Sequence, residues 1–194
     1  MTSTELTFDP CSGDRQLFLD DAGIAHRHNL VRTMHRPVKK GTVIRPDIEA
    51  GQTCLQIRTA PIWDPEAELF KLWEGGARES RDGLNWRIVG PHKGPSEVVY
   101  DADDPDPGRR FKAFSPGERA VSPDGVTWTK LDLPPVPSAD EHNFSFDARG
   151  RLFIATVKHR GPQGRSVWLS TSRDFDTWTE PELIFHSDEI DLNN

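Results

Sequence analysis

The sequence has 194 residues, of which 35% are hydrophobic, with 24 Lys and Arg against 31 Asp and Glu, for a formal net charge of −7. This length suffices for one ordinary domain with a sizeable core. The acidic balance repels phosphate and argues against a nucleic-acid partner, whereas a neutral sugar meets no such repulsion.

No apolar run approaches the roughly 20 residues that a membrane-spanning helix needs. The N-terminus lacks the basic start and apolar stretch of a signal peptide, which predicts a cytoplasmic location. The two cysteines, Cys11 and Cys54, have no metal-binding spacing and define no disulfide framework. We find no nucleophile elbow, phosphate-binding loop or dinucleotide motif, and predict neither a metal nor a cofactor.

The predicted elements begin with a lead-in over residues 1–43. Within it, Leu17–Ile24 suggests a short strand pair and Leu30–Val38 a second extended piece that ends in prolines. Three similar units follow, at 44–92, 93–136 and 137–187, and residues 188–194 would start a fourth. No window shows sustained helical periodicity, so we predict no helix.

Each unit contains short strands separated by acidic turns, with the alternation typical of half-buried strands. The segments predicted as strands are Cys54–Arg58 and Leu69–Trp73 in the first unit, Glu97–Tyr100, Arg110–Phe114 and Ala120–Val121 in the second, and Asn143–Phe146, Leu152–Val157, Ser166–Ser170 and Leu183–Phe185 in the third.

A Ser-x-Asp-x-x-x-Trp pattern, which we call the Asp-box motif, occurs once in each unit. Its copies are Ser80–Trp86, Ser122–Trp128 and Ser172–Trp178, separated by intervals that fit a four-stranded propeller blade. The Asp accepts backbone N–H bonds, Gly83 or Gly125 supplies a positive φ, and the Trp covers the interface between blades. In the third copy Phe175 replaces the glycine, so we expect a different turn or a positive φ at Asp176.

These segments resemble proteins described as glycoside hydrolase family 32 N-terminal-like, and more broadly the sialidase-like five-bladed propellers. The resemblance is carried by Leu17–Asp21, Arg32–Val38, Ile44–Asp47, Arg110–Lys112, the Asp-box motifs and Gly164–Trp168. It implies an all-β fold of about three four-stranded blades of a five-bladed propeller, whose central funnel binds carbohydrate. Such relatives are longer, so we expect a fragment, a truncated product or a chain that completes its ring by association.

The first strand of every propeller blade starts at the same rim of the channel, so polar residues just before these strands converge. This predicts Asp47, Glu97, Asp140 and Glu141 as catalytic carboxyls, and Glu49, His142 and Asn143 as substrate-binding residues. Glycoside hydrolysis needs two carboxyl groups that flank the scissile bond. Solvated loops explain the same residues without any catalysis, and Asp82, Asp124 and Asp174 are expected to have structural roles.

Two functions from different classes follow. The first is a glycosidase-like propeller, or part of one, that acts on a carbohydrate with paired carboxylates. The second is a non-catalytic propeller that binds carbohydrate or protein, and an inactive truncated chain is a third alternative. Three blades alone would leave sheet faces exposed, which predicts self-association through them.

Overall fold

The computed structural model describes residues 20, 21, 24–49, 51–162 and 164–192. The chain divides into two units, Met1–Lys39 and Lys40–Asn194. In the first unit the described residues form neither helix nor strand, and Arg32 donates a hydrogen bond of 2.6 Å to the carboxylate of Asp21. The strand pair predicted over Leu17–Ile24 lies mostly outside the described residues.

The described part of the second unit forms three four-stranded antiparallel sheets, each a meander in which chain neighbours pair. The all-β fold class is therefore confirmed. Sheet 1 contains β1 (Ile62–Asp64), β2 (Leu69–Trp73), β3 (Ala77–Ser80) and β4 (Arg87–Gly90). Sheet 2 contains β5 (Glu97–Tyr100), β6 (Phe111–Ser115), β7 (Glu118–Ser122) and β8 (Thr129–Leu131). Sheet 3 contains β9 (His142–Asp147), β10 (Leu152–Gly161), β11 (Gly164–Ser172) and β12 (Glu182–His186).

Two predictions about local structure need correction. Cys54–Arg58 is not a strand, and the first strand of sheet 1 is β1, which ends in a turn closed by the Asp64 carboxylate. The prediction of no helix also fails, because α1 (Glu189–Leu192) forms one helical turn and Pro107–Arg109 forms a 3₁₀ turn. No helix within the described residues is long and apolar enough to cross a membrane.

The Asp-box motif connects the third and fourth strands of every sheet. In sheet 1 the Asp82 carboxylate accepts the N–H groups of Leu84 and Asn85 at 2.8 Å, and the Ser80 hydroxyl accepts that of Gly83 at 2.9 Å. The other two hairpins repeat this pattern. Each polar side chain thus replaces hydrogen bonds that the backbone loses in a tight turn.

The third hairpin keeps the same turn despite its phenylalanine, contrary to our expectation. Phe175 itself adopts the positive φ, at 70°, where Gly83 and Gly125 have 71° and 75°. A positive φ strains a residue that has a Cβ. The Phe175 ring is fully buried against Phe144 and Phe153, and this apolar burial offsets the strain.

Sheet 1 packs on the Asp-box hairpin of sheet 2 through Trp73. The indole N–H of Trp73 donates to the carbonyl of Gly125 at 2.6 Å, and the Lys71 ammonium donates to the carbonyl of Asp124 at 2.7 Å. The Trp73 ring also meets Trp128 edge to face, with centroids 5.9 Å apart. One side chain therefore supplies both the apolar contact and a hydrogen bond between these sheets.

Sheet 2 packs on sheet 3 at the equivalent position. Phe114, which occupies the register of Trp73, lies against Trp178 and Phe144 with centroids 4.8 and 4.9 Å away. Arg151 of sheet 3 adds a bidentate pair with the buried carboxylate of Asp101 in sheet 2. The first strands are also adjacent, because β5 contacts both β1 and β9.

The glycines of the first two hairpins allow a matched test of this packing. A Cβ on Gly125 would lie 2.8 Å from the Trp73 ring, whereas a Cβ on Gly83 would meet nothing within 4 Å. We expect Gly83→Ala to cost about 1 kcal/mol of unfolding free energy from the positive φ. Gly125→Ala should cost about 1–3 kcal/mol more, from overpacking against Trp73. Equal losses for the two variants in urea denaturation would contradict the described contact.

Candidate functional site

The first strand of every sheet ends in an aromatic residue followed by aspartate. These pairs are Trp63-Asp64, Tyr100-Asp101 and Phe146-Asp147. Each aromatic ring packs across the sheet on a phenylalanine of the second strand, with centroids 4.4 to 4.9 Å apart. Each aspartate accepts backbone N–H groups of the turn that follows. The aromatic positions are therefore equivalent in the three sheets.

These three aromatic residues line one groove of about 450 Å³ where β1, β5 and β9 lie side by side. The groove also contains Arg58, Val98, Val99, Phe144 and Ser145. Trp63 is 45% exposed, so part of its ring is accessible from the groove. An accessible indole beside polar groups suits a ligand with both apolar and hydroxylated faces.

The buried carboxyl of Glu97 lies at the start of β5. Its side chain is 2% exposed, and neither carboxyl oxygen has a hydrogen-bond partner. Burial raises the pKa of Glu97 from 4.5 to about 7, and the positive charge of Arg58 opposes this effect. Glu97 can therefore hold a proton near neutral pH and release it.

His142 faces Glu97 from the start of β9. Its Nε2 atom lies 3.4 Å from Oε2 of Glu97, and its Nδ1 atom is buried without a hydrogen-bond partner. Burial, followed by the charge of Arg58, lowers the pKa of His142 below 6.5. A neutral imidazole thus stands beside a carboxyl that titrates near neutrality, and the pair can share or pass a proton.

Arg58 joins this pair to a second carboxyl. Its guanidinium lies 3.7 Å from the carboxylate of Glu141, which is 60% exposed. The sequence pattern does not point to Arg58, because it predicts Cys54–Arg58 as a strand and so places the polar residues of the rim before Cys54. The aromatic–aspartate pair at Trp63-Asp64 was the available signal, since it marks the true end of the first strand and places Arg58 before it.

The other residues predicted near β9 are placed differently. Asp140 is exposed and accepts a hydrogen bond of 2.7 Å from Lys158, which lowers the pKa of Asp140 and keeps it ionised. Asn143 is an exposed residue of β9. Of the predicted group, the structure therefore brings together Glu97 and His142, with Glu141 linked through Arg58.

Asp47 and Glu49 are exposed and lie well before β1 in the chain. Asp47 belongs to a turn in which its N–H donates to the Gln52 side chain and its carbonyl accepts from the Gln52 N–H, both at 2.9 Å. Their prediction as rim residues depends on Cys54–Arg58 being the first strand, and the structure has no strand there. Because β1 starts at Ile62, Arg58 lies closer in the sequence to the start of the first strand than Asp47 or Glu49 does.

The Asp-box aspartates have the structural role expected of them. Hydrogen bonds from the Asn85 backbone and side chain hold the pKa of Asp82 far below its usual value, so its carboxylate stays ionised within the turn. Among the described residues, no three His, Cys, Asp or Glu side chains form a group that could hold a metal ion.

No family model matches the chain, and no curated protein matches it. Among solved structures, the chain is similar to an N-acetylgalactosamine deacetylase from F. plautii, determined in complex with blood group B trisaccharide. The two share 17% sequence identity with a TM-score of 0.43, over 66% of this chain and 53% of that one. The chain thus matches about half the length of that enzyme, and the function proposed below depends on the geometry of the chain itself.

The raised pKa of Glu97 predicts a pH dependence of stability. Because the folded protein binds this proton more tightly than the unfolded chain, ionisation of Glu97 should remove stability as the pH rises from about 4.5 to about 7. The lowered pKa of His142 acts in the opposite direction below pH 6.5. Glu97→Gln isolates the carboxyl, and its stability relative to the parent should rise with pH across this window.

Urea denaturation of both proteins at several pH values measures this difference. Glu141→Gln is the matched control, and we expect a smaller change from it because its side chain is largely solvated. A difference between Glu97→Gln and the parent that stays constant from pH 4.5 to 8 would show that Glu97 is not a buried, raised-pKa group.

Proposed function

We propose that the chain is part of a carbohydrate-active β-propeller of the glycoside-hydrolase-like type. In this proposal the groove along β1, β5 and β9 binds the sugar. Glu97 is enclosed beside the groove rather than lining it, so it would donate a proton to the leaving oxygen of a glycosidic bond once sugar binding exposes its carboxyl. The observation that carries the proposal is the buried carboxyl of Glu97, free of hydrogen bonds and beside His142, at strands that line an aromatic groove.

The propeller arrangement is supported by the way the sheets pack. Three meander sheets follow one another along the chain, and sheets 1 and 2 each present the second strand to the Asp-box hairpin of the next sheet. Their first strands are neighbours in the order β1, β5, β9. A radial arrangement of blades with first strands innermost has these same contacts.

The groove has the chemistry of a sugar site. Trp63 offers an exposed aromatic face, and Arg58 offers hydrogen-bond donors to hydroxyl or carbonyl oxygens. The acid chemistry would come from Glu97, because a carboxyl with a pKa near 7 is protonated in a useful fraction of molecules at neutral pH. The second carboxyl would be Glu141, 3.7 Å from the Arg58 guanidinium. It would either take the proton of a water that bonds to the anomeric carbon, or bond to that carbon itself until water displaces it and releases the sugar.

A non-catalytic carbohydrate-binding function is the second candidate. The observation that favours it is the Glu141 carboxylate, which is 60% exposed and close to Arg58. Such a carboxylate lacks the water-excluded surroundings in which catalytic carboxylates usually act. In this case the groove would bind sugar without hydrolysing it.

Carbohydrate binding and hydrolysis are tested with the same variants. We expect neutral oligosaccharides to bind with an affinity that Trp63→Ala lowers at least tenfold and Trp63→Phe largely restores, since stacking needs only a ring. Glu97→Gln should abolish hydrolysis of nitrophenyl glycosides while it leaves calorimetric binding intact. Binding without hydrolysis in the parent would favour the non-catalytic function. Binding that Trp63→Ala leaves unchanged would show that the groove is not the sugar site.

A further inference from the structure

A second cavity lies between sheets 2 and 3, on the side of the Asp-box hairpin of sheet 3. It has a volume of about 310 Å³. One wall is the segment Leu133–Pro137, which leaves β8, and the opposite wall is Asp176–Glu180 with the Trp178 ring. The Leu133–Pro137 wall and the Trp178 ring are apolar, whereas the rest of the opposite wall is polar and includes the carboxyl groups of Asp176 and Glu180. Arg119 of β7 contributes a cationic group.

Arg119 is unusual for its position in the fold. It stands three residues before the motif serine Ser122, opposite Phe114 in the sheet. The equivalent residues of sheets 1 and 3 are Ala77, opposite Trp73, and Leu169, opposite Thr156. Sheets 1 and 3 therefore have an apolar residue at the position that Arg119 occupies in sheet 2. The fold does not require an arginine at this position.

The Arg119 side chain is buried without full compensation. The residue is 3% exposed, its Nη2 atom donates to the carbonyl of Pro134, and its Nε atom has no hydrogen-bond partner. Asp176 attracts the guanidinium through space, but the Asp176 carboxylate is bound to Arg109 at 2.6 Å. A buried cation that lacks a direct anionic partner costs free energy, and such groups are normally paired.

We propose that this cavity binds a small organic carboxylate. Its carboxylate would accept the free N–H of Arg119, and its apolar body would lie against Trp178 and the prolines of Leu133–Pro137. A carboxylate is favoured over a neutral ligand because guanidinium and carboxylate are complementary in charge and in planar geometry. An organic body is favoured over a bare inorganic anion because Leu133–Pro137 and the Trp178 ring offer apolar surface. Of the two acidic groups in the lining, Asp176 is already bound to Arg109 and Glu180 is exposed to solvent. The site is separate from the groove and independent of its proposed function.

Benzoate and its neutral isostere benzamide test the proposal on the intact chain. We expect calorimetry to detect benzoate binding at least tenfold tighter than benzamide binding, and benzoate to shift the indole N–H resonance of Trp178. Arg119→Leu should fold, since leucine occupies the equivalent position in sheet 3, and should weaken benzoate binding at least tenfold. Arg119→Lys keeps the positive charge without the planar guanidinium and should weaken benzoate binding less than Arg119→Leu does.

Arg87→Leu is the control for general electrostatic attraction, because the Arg87 side chain is 73% exposed on another sheet, and it should leave benzoate binding unchanged. The proposal is overturned if benzoate does not bind, if benzamide binds equally well, or if benzoate leaves the Trp178 resonance in place. These comparisons on the parent protein decide the outcome even if Arg119→Leu fails to fold.

Discussion

The contact between the second strand of one sheet and the Asp-box hairpin of the next is the interaction on which the second unit depends. Between sheets 1 and 2 it consists of Trp73 against Trp128 and Gly125, with a hydrogen bond of 2.6 Å to the Gly125 carbonyl. Between sheets 2 and 3 the smaller Phe114 occupies the same register, and the hairpin of sheet 3 carries Phe175 where sheet 2 has glycine. At the first interface the large side chain is Trp73, which belongs to the second strand of sheet 1. At the second interface the extra volume is that of Phe175, which belongs to the hairpin of sheet 3. Each of these rings lies in a cluster of buried apolar side chains.

This stacking also determines where chemistry can occur. It brings β1, β5 and β9 side by side, so residues distant in sequence meet at the start of these strands. Glu97 is then enclosed between sheets, with His142 3.4 Å away, and the absence of solvent raises the pKa of its carboxyl. The turn aspartates have the opposite environment. Backbone N–H groups stabilise the charge of Asp82, so that aspartate maintains the turn and is unsuited to proton transfer.

Sequence reasoning succeeded where a local pattern carries its own physical cause. The Asp-box hairpins, the acidic turns and most strands follow from short-range hydrogen bonding and alternation, and they occur as predicted. It failed at Cys54–Arg58, where an alternating apolar pattern occurs in a segment without strand partners. As a result, Asp47 and Glu49 were predicted as the residues before the first strand, and Arg58 was not recognised as one of them. It also failed at Phe175, because the strain of a positive φ is local, whereas the burial that offsets it depends on Phe144 and Phe153.

The all-β class, the threefold repetition and the hairpin chemistry can be predicted from the amino-acid sequence, because each strand pattern and each copy of the motif involves residues within a few positions of one another. It also identified Glu97 and His142 as candidates from their places before predicted strands. Packing of the sheets is what brings these two residues together, places Arg58 near both of them and Glu141, and buries Arg119 beside a cavity. Burial and through-space charge arise from contacts between sheets, and no local pattern in the chain encodes them.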